Sequence, residues 1–133
     1  MSRKIVSLNG LWNYEVNGKS MGYKQVPFSA LCVGRSVCET EFVRPEGKRC
    51  FLCFEGITYA AEVFINGHCL GKMLAYSFYR FDVTALLNEK HNVLRVEVED
   101  MNLPFGPSEG WENYGGIIRD VYLLVTDDVM IED

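Results

Sequence analysis

The stretch EGWENY brings two large aromatic side chains, two carboxylates and an amide together between glycines and prolines. Trp111 and Tyr114 are suited to stack on the apolar CH face of a pyranose, while Asn113, Glu109 and Glu112 can hydrogen-bond its hydroxyl groups. The two aromatic residues are equally suited to pack this loop back onto the end of its own domain. The residue types alone therefore leave a sugar site and a structural loop both open.

Two other sets of residues with metal-binding or catalytic potential have simpler explanations. Cys50 and Cys53 form a CxxC pattern inside a predicted strand, where side chains three residues apart point to opposite faces, so they are not expected to share a metal or a disulfide. His68 follows a turn and His91 lies in a polar loop, and neither neighbours a Ser or Cys in a nucleophile motif. Both histidines are predicted to be solvated turn residues.

Paired carboxylates are what glycoside hydrolysis requires, and Glu97, Glu99 and Asp100 lie close together in the sequence. Their positions fit the water-facing side of a strand and its exit better than a catalytic pair. The sequence contains no GxSxG, HExxH or phosphate-loop motif. No metal or cofactor is therefore predicted for this chain.

Length and composition are those of one globular domain. The chain has 133 residues, of which 48% are hydrophobic and 23% charged, and no apolar run approaches the roughly 20 residues that span a bilayer. Thirteen basic and 18 acidic residues give a net charge of −5, and the basic residues are scattered, which argues against nucleic-acid binding. Five cysteines without an apolar leader segment favour reduced thiols and a cytoplasmic location.

Short apolar or alternating runs separated by turn residues predict an all-β protein. Within the run of residues 93–99, residues 94–99 alternate strictly between aliphatic and charged side chains, which predicts one face in the core and one in water. Asn17-Gly18 and Asn66-Gly67 are hairpin-type turn signals, the second being the clearest. An antiparallel β-sandwich, most simply a jelly roll, is the predicted fold. The predicted strands cover residues 10–16, 38–43, 49–55, 61–65, 69–70, 76–83, 93–99 and 117–125.

Several motifs in order give the chain a family resemblance over residues 8–125. It resembles the N-terminal sugar-binding domain of glycoside hydrolase family 2, the group that includes β-galactosidases, β-glucuronidases and β-mannosidases. The motifs that carry the resemblance are NGLW, VPFS, FVRP, FEGITYAAEVFINGHCLGKM, YSFYRFDVTALL, HNVLRVEVED and YGGIIRDVYLLV.

The resemblance implies a non-catalytic piece of a retaining glycosidase. In that family the jelly roll precedes an immunoglobulin-like domain and a TIM barrel, and the two catalytic glutamates belong to the barrel. A barrel of about 250 residues is longer than this whole chain. The ending DDVMIED resembles the start of a link to a following domain. The implied partners are a β-linked sugar and those two domains of the same polypeptide, with a homo-oligomer left open.

The resemblance also implies a role for the loop of residues 100–116, which in some members reaches the barrel mouth and helps to form the sugar subsite. Some members carry an aspartate there, at the place that Gly110 occupies in this chain; Glu109 or Glu112 would substitute with a shift of one or two residues. Gly116 and Arg119 match the base of the loop, where Arg119 is expected to donate hydrogen bonds to backbone carbonyls.

Three hypotheses follow from the sequence. The first is a scaffold and subsite rim of a cytoplasmic family 2 glycosidase that hydrolyses terminal β-linked sugars. The second is a free-standing carbohydrate-binding module that binds a sugar without any other domain. The third is a structural domain whose loop packs against a neighbouring domain or subunit.

Overall fold

The computed structural model describes residues 3–27, 30–31, 35–58, 60–73, 78–99, 114–117 and 119–127. These residues form thirteen β-strands and one short 3₁₀ turn, Thr84–Leu86, which confirms the predicted all-β class. The strands are β1 (Arg3–Ser7), β2 (Gly10–Val16), β3 (Lys19–Val26), β4 (Ala30–Leu31), β5 (Arg35–Phe42), β6 (Arg49–Phe54), β7 (Ile57–Thr58), β8 (Ala60–Ile65), β9 (His68–Met73), β10 (Tyr79–Asp82), β11 (Asn92–Glu99), β12 (Tyr114–Ile117) and β13 (Val121–Thr126).

The strands form two large antiparallel sheets that pack face to face, with a small third sheet beside them. Sheet I has four strands in the order β1-β13-β6-β10, and sheet II has six in the order β3-β2-β5-β11-β8-β9. Sheet III has three short strands, β4-β12-β7. This arrangement is the predicted antiparallel β-sandwich of the galactose-binding, jelly-roll kind.

The core lies between sheets I and II and follows from side-chain alternation in both. On β11, Leu94, Val96 and Val98 are fully buried, because every second residue of a strand points to the same face. From β2, the Trp12 ring enters the same cluster, and its Nε1–H donates to the Leu8 carbonyl at 2.8 Å. Burying the indole therefore leaves its only polar group paired. Sheet I contributes Cys50, Leu52, Phe54, Val121, Leu123 and Val125.

Both Asn-Gly pairs make the hairpins that connect neighbouring strands of sheet II. Asn17 and Gly18 have positive φ angles of 50° and 81°, and Asn66 and Gly67 have angles of 49° and 86°. Two consecutive positive φ angles define the type I′ turn, whose twist matches that of the flanking strands. The first turn joins β2 to β3 and the second joins β8 to β9.

The strand pattern differs from the sequence-based expectation in two ways. The predicted strands do not include β1, β3, β4 or β7, and of these β3 is an edge strand whose side chains are mostly exposed. The single strand expected over residues 117–125 is wrong, because β12 ends at Ile117 in sheet III and β13 begins at Val121 in sheet I. Arg119 and Asp120 lie in the break, where the chain passes from one sheet to the other.

The CxxC residues point to opposite faces of β6, as predicted. Cys50 belongs to the core between the sheets, whereas Cys53 lies on the outer face of sheet I, beside Tyr122 on β13. Both are buried free thiols. Burial is the main cause that raises the pKa of each thiol to about 11. Both thiols are neutral at physiological pH and therefore unreactive, because the thiolate is the nucleophilic form. This fits a packing role rather than metal or redox chemistry.

A glycine in the turn before β6 allows that turn to lie against β13. Gly47 has a φ of +150°, and a methyl group there would lie 2.1 Å from Cγ1 of the buried Val125.

We expect Gly47→Ala to lower the free energy of unfolding by about 1–3 kcal/mol through overpacking, measured by urea denaturation. Gly18→Ala is the control, because Gly18 also has a positive φ but nothing within 4 Å of the added methyl. A loss no larger than that of the control would contradict the steric explanation.

The β6 thiols should make stability depend on alkaline pH. Their pKa is about 11 in the folded chain and 9.0 for an unperturbed thiol, so the unfolded state loses these protons first as the pH rises. The stabilisation is fully present below pH 9 and is lost as the pH rises from 9 to 11. We expect urea midpoints of the reduced protein to fall through this range, and to fall much less in Cys50→Ala/Cys53→Ala. Cys69→Ala removes an exposed thiol and should keep the full slope. Equal slopes in all three proteins would refute the assignment.

Candidate functional site

The base of the 100–116 loop is fixed by short backbone pairings in sheet III. Tyr114 and Gly115 pair with Leu31 and Ala30 of β4. The next two residues of β12, Gly116 and Ile117, pair with β7 on the other side. The first half of β12 is thus held by β4 on one edge, and its second half is held by β7 on the other edge.

Four of the seven residues predicted to contact the sugar or to form the loop base lie outside the described residues, as does Gly110; these four are Glu109, Trp111, Glu112 and Asn113. Tyr114 is the first residue of β12, and Gly116 is its third. The structure thus gives the backbone position of Tyr114 and of Gly116 at the loop base. The sugar-contacting role of the loop residues stays a prediction.

Arg119 lies beside the loop base and packs over Gly56. A methyl group on Gly56 would be 3.1 Å from Cδ and 3.2 Å from Cγ of Arg119, so the stem of the arginine covers this glycine closely. Gly56 directly precedes β7, which pairs with β12. The contact connects the corner after β12 to the strand beside it, which is consistent with a structural role. The predicted hydrogen bonds from Arg119 to backbone carbonyls stay a prediction.

Asn9 holds the same corner, and the sequence analysis did not identify it. Its Oδ1 accepts from the N–H of Val121 at 3.1 Å, and its Nδ2 donates to Oδ1 of Asp120 at 3.1 Å. The Asp120 carbonyl in turn accepts from the N–H of Glu55 at 3.0 Å. Asn9 therefore ties the β1–β2 connection to the break between β12 and β13. The signal was present in the sequence, because Asn9 is the first residue of the NGLW motif.

The acidic residues of β11 are arranged differently from the prediction. Glu97 was expected on a water-facing side of the strand, but only 8% of it is exposed. Arg35 donates a hydrogen bond to Oε1, and Nε of Arg95 donates to Oε2 at 2.7 Å. The two guanidinium groups therefore cover the carboxylate and balance its charge. Glu99 is the last residue of β11, and Asp100 lies outside the described residues.

The two histidines have the exposed positions expected of turn residues. His68 begins β9 directly after the Asn-Gly turn. The ring of His91 lies 2.8 Å from Oε1 of Glu41, and both side chains are more than half exposed. Within the described ranges, no group of three or more His, Cys, Asp and Glu side chains is placed to hold a metal ion.

Besides the Cys53 thiol, Tyr122 and Asp82 on the outer face of sheet I have shifted pKa values. Burial, together with nearby Cys53 and Glu55, raises the pKa of Tyr122 to about 12, and its hydroxyl donates to Oε2 of Glu55 at 3.3 Å. Partial burial tends to raise the pKa of Asp82. The hydrogen bonds from Thr84 and Arg49 have the larger combined effect and lower it. At neutral pH the phenol is therefore neutral and the carboxylate is charged.

Among the described residues, no helix is long and apolar enough to cross a membrane. The cytoplasmic location expected from the sequence stays a prediction.

Comparison with known proteins identifies glycosidases over most of the chain. It is 42% identical to a β-glucuronidase of Bacteroides fragilis over 96 residues, which are 68% of this chain and 14% of that protein. It is 31% identical to a β-galactosidase of Thermoanaerobacter pseudethanolicus over 97 residues, 68% of this chain and 13% of the relative. The chain thus spans about one seventh of the length of these relatives.

Solved structures with the same fold are also segments of larger chains. The FMN-binding β-glucuronidase from Facaelibacterium prausnitzii L2-6 superposes with a TM-score of 0.78 at 25% identity, over 92% of this chain and 22% of that one. A Bifidobacterium dentium β-glucuronidase has the same TM-score at 22% identity and shows the fold, over 95% of this chain and 30% of that one.

The family described as glycosyl hydrolase 2 galactose-binding domain-like matches residues 32–105, more than half of the chain. That range runs from the segment before β5, through the centre of both sheets, into the loop after β11. The chain therefore belongs to the glycosyl hydrolase 2 galactose-binding domain-like family.

Proposed function

We propose that this chain is the N-terminal, non-catalytic sugar-binding domain of a longer retaining glycosidase that hydrolyses terminal β-linked sugars. The names and lengths of its relatives support this, because β-glucuronidases and β-galactosidases match it over 13–14% of their own length. A retaining glycosidase needs two carboxyl groups about 5 Å apart. In the proposed enzyme these belong to a TIM barrel, with an immunoglobulin-like domain between the barrel and this chain.

The 100–116 loop is the part of the domain that we propose shapes the sugar subsite. The observation that carries this proposal is the anchoring of β12 between β4 and β7 directly after Asn113. Residues immediately before a strand paired on both edges have a short tether, so the loop can present side chains in a reproducible place. Gly116 lies within that anchored strand.

The chemistry of the loop suits a sugar. Trp111 and Tyr114 supply aromatic surfaces for the CH face of a pyranose, and Glu109, Glu112 and Asn113 supply groups that hydrogen-bond its hydroxyls. In this proposal they form one rim of a site whose other walls, including the catalytic carboxylates, come from the barrel. The corner made by Asn9, Gly56 and Arg119 keeps the returning chain in place.

The isolated chain should not hydrolyse glycosides. We expect no turnover of nitrophenyl β-glucuronide, β-galactoside or β-mannoside above the buffer rate, because the catalytic carboxylates of the proposed enzyme lie outside this domain. Release of nitrophenol by highly purified chain that disappears in Glu109→Gln or Glu112→Gln, and persists in the control Glu41→Gln, would refute a non-catalytic role. Glu41 is a suitable control because it is an exposed glutamate on sheet II.

A chimera tests the loop directly. This chain would replace the matching segment of the Bacteroides fragilis β-glucuronidase, to which it is 42% identical. We expect the chimera to hydrolyse glucuronides, and Trp111→Ala to raise KM about five- to tenfold while kcat changes less, because a stacking contact with the sugar is lost. Tyr23→Ala is the matched control, since Tyr23 is an aromatic residue 68% exposed on the edge strand β3.

The other hypotheses predict different outcomes of these experiments. If Trp111 only packs the loop, Trp111→Ala in the chimera lowers the melting temperature and leaves KM unchanged. If the chain is a free-standing binding module, titration of the isolated chain with glucuronate or galactose shifts the NMR signals of residues 109–114 at useful affinity. We expect neither result, because one rim of a subsite does not bind a monosaccharide tightly without the opposing walls.

A further inference from the structure

The outer face of sheet I carries apolar side chains that do not belong to the core. Ile5, Leu124 and Phe51 are cross-strand neighbours in one row, and Tyr122 lies in the next. None of these four side chains belongs to the core cluster between the sheets. Ile5 is 65% exposed, and the other three are partly exposed. They form a continuous apolar band across the strands.

The middle of the outer face of sheet II is charged. Its cross-strand neighbours include Glu39, Arg95, Glu97 and Glu62, which lie on adjacent strands. Arg95 contacts both Glu97 and Glu39, at 2.7 Å and 3.7 Å. The exposed apolar side chains of this face, Leu11 and Tyr23, lie on β2 and β3 at one edge of the sheet. The two outer faces therefore differ at their centres, where sheet I is apolar and sheet II is charged.

Arginine side chains flank the band and stack on its central ring. The guanidinium carbons of Arg49 and Arg80 lie 5.7 Å and 5.8 Å from the centre of the Phe51 ring. Arg49 also pairs with Asp82 at 2.5 Å, which limits its freedom. An aromatic ring held between two positioned arginines is typical of the centre of a protein interface, where Arg and aromatic residues are enriched.

Charged side chains of opposite sign lie at the two ends of this face. The outward residues of β6 are, in order, Arg49, Phe51 and Cys53, and the exposed Glu55, which accepts from Tyr122, follows directly after the strand, so this line of residues is positive at one end and negative at the other. On the neighbouring β10 the outward residues Arg80 and Asp82 have the reverse order along the same axis, because Arg80 pairs with Cys53 and Asp82 with Phe51.

This pattern is self-complementary under one two-fold rotation. Two rows of cross-strand neighbours are involved: the Phe51 row and the Cys53 row. The axis lies between the two copies, at right angles to the strands and midway between these rows. It places the Phe51 row of one copy over the Cys53 row of the other copy. Arg49 then lies over Glu55 of the second copy and Asp82 over its Arg80. The other pairs between the Phe51 and Cys53 rows are apolar or neutral: Phe51 over Cys53, Leu124 over Tyr122 and Ile5 over Ser7.

The other in-plane two-fold axis, parallel to the strands, is disfavoured by the same charges. If that axis runs along β6, it places Arg49 over Arg49 and Glu55 over Glu55 of the second copy, which brings like charges together. Sheets that pack face to face cross at about 30° because of their twist, and long Arg and Glu side chains can bridge that displacement. Only the perpendicular axis combines buried apolar area with opposite charges.

We propose that the chain forms a symmetric dimer through the outer face of sheet I, with strands of the two copies antiparallel. This inference is independent of the proposed glycosidase function, since it rests on a face that contains none of the predicted sugar-contacting residues. Four strands spaced about 4.8 Å apart, each rising about 3.4 Å per residue, give a flat face of roughly 400 Å² per copy. Interfaces at this small end of the range are weak, so the dimer dissociates in the micromolar range.

Sedimentation equilibrium of the 133-residue chain tests the dimer. Over about 1 to 200 µM, the average mass should rise from 15.2 kDa towards twice that value. Glu55→Arg puts two arginines opposite one another, and Ile5→Glu puts a charge into the apolar band. Each should raise the dissociation constant at least about tenfold. Both sites are exposed, so the variants should stay folded, which far-UV circular dichroism verifies.

A charge exchange and a control complete the experiment. The double variant Arg49→Glu/Glu55→Arg restores opposite charges across the axis and should recover dimerisation lost in Glu55→Arg. Glu41→Arg, the same type of substitution on sheet II, should leave the mass unchanged. The proposal is overturned if the wild-type chain stays monomeric throughout, as expected if this face instead covers an adjoining domain. It is also overturned if Ile5→Glu and Glu55→Arg still dimerise, or if the folded double variant fails to recover.

Discussion

The alternation of side chains along β11 is the constraint on which the larger sheet depends. Leu94, Val96 and Val98 are fully buried, while Arg95 and Glu97 point to the other face. A slip of one residue would move three aliphatic side chains into water, at about 1.5–3 kcal/mol each, and would also bring an arginine and a glutamate into the core. Because β5 and β8 both pair directly with β11, their registers are fixed by the same penalty, and the β8–β9 hairpin follows from them.

That fixed strand also determines where the loop begins. The chain leaves sheet II after Glu99, at the end of β11, whose register is fixed by its side-chain alternation. It returns at Tyr114 in sheet III. Glu99, paired in β11, and Tyr114, paired with Leu31 of β4, therefore fix the two ends of the loop by strand pairing. In the proposed function the side chains between these ends contact a sugar, so their chemistry is that of a binding loop and not of a sheet.

Strands with strong side-chain patterns could be predicted from the sequence, and those defined by their surroundings could not. β11, β6 and the β8–β9 hairpin follow from alternation, apolar content and an Asn-Gly turn. β3 was missed because an exposed edge strand of polar residues has no pattern and exists only through its pairing with β2. The break after Ile117 was missed because apolar residues continue on both sides while the chain changes sheets. Likewise, the burial of Glu97 depends on Arg35, which is 62 residues away in the sequence. For the candidate site, the sugar chemistry of the loop stays a prediction from residue types, and the corner held by Asn9 could not be predicted because it is a long-range contact.

The loop base and the apolar face of sheet I meet at the end of β6, and this connects the two proposed surfaces. The N–H of Glu55 binds the Asp120 carbonyl, while Gly56 lies under Arg119, so one end of the face adjoins the corner that anchors β12. In the antiparallel dimer, this negative end of one copy lies over the positive end of the other, at Arg49. The two loop bases then lie at opposite ends of the proposed interface. The proposed dimer contact and the proposed sugar contacts therefore use different parts of the domain, so the two proposals do not compete for one surface.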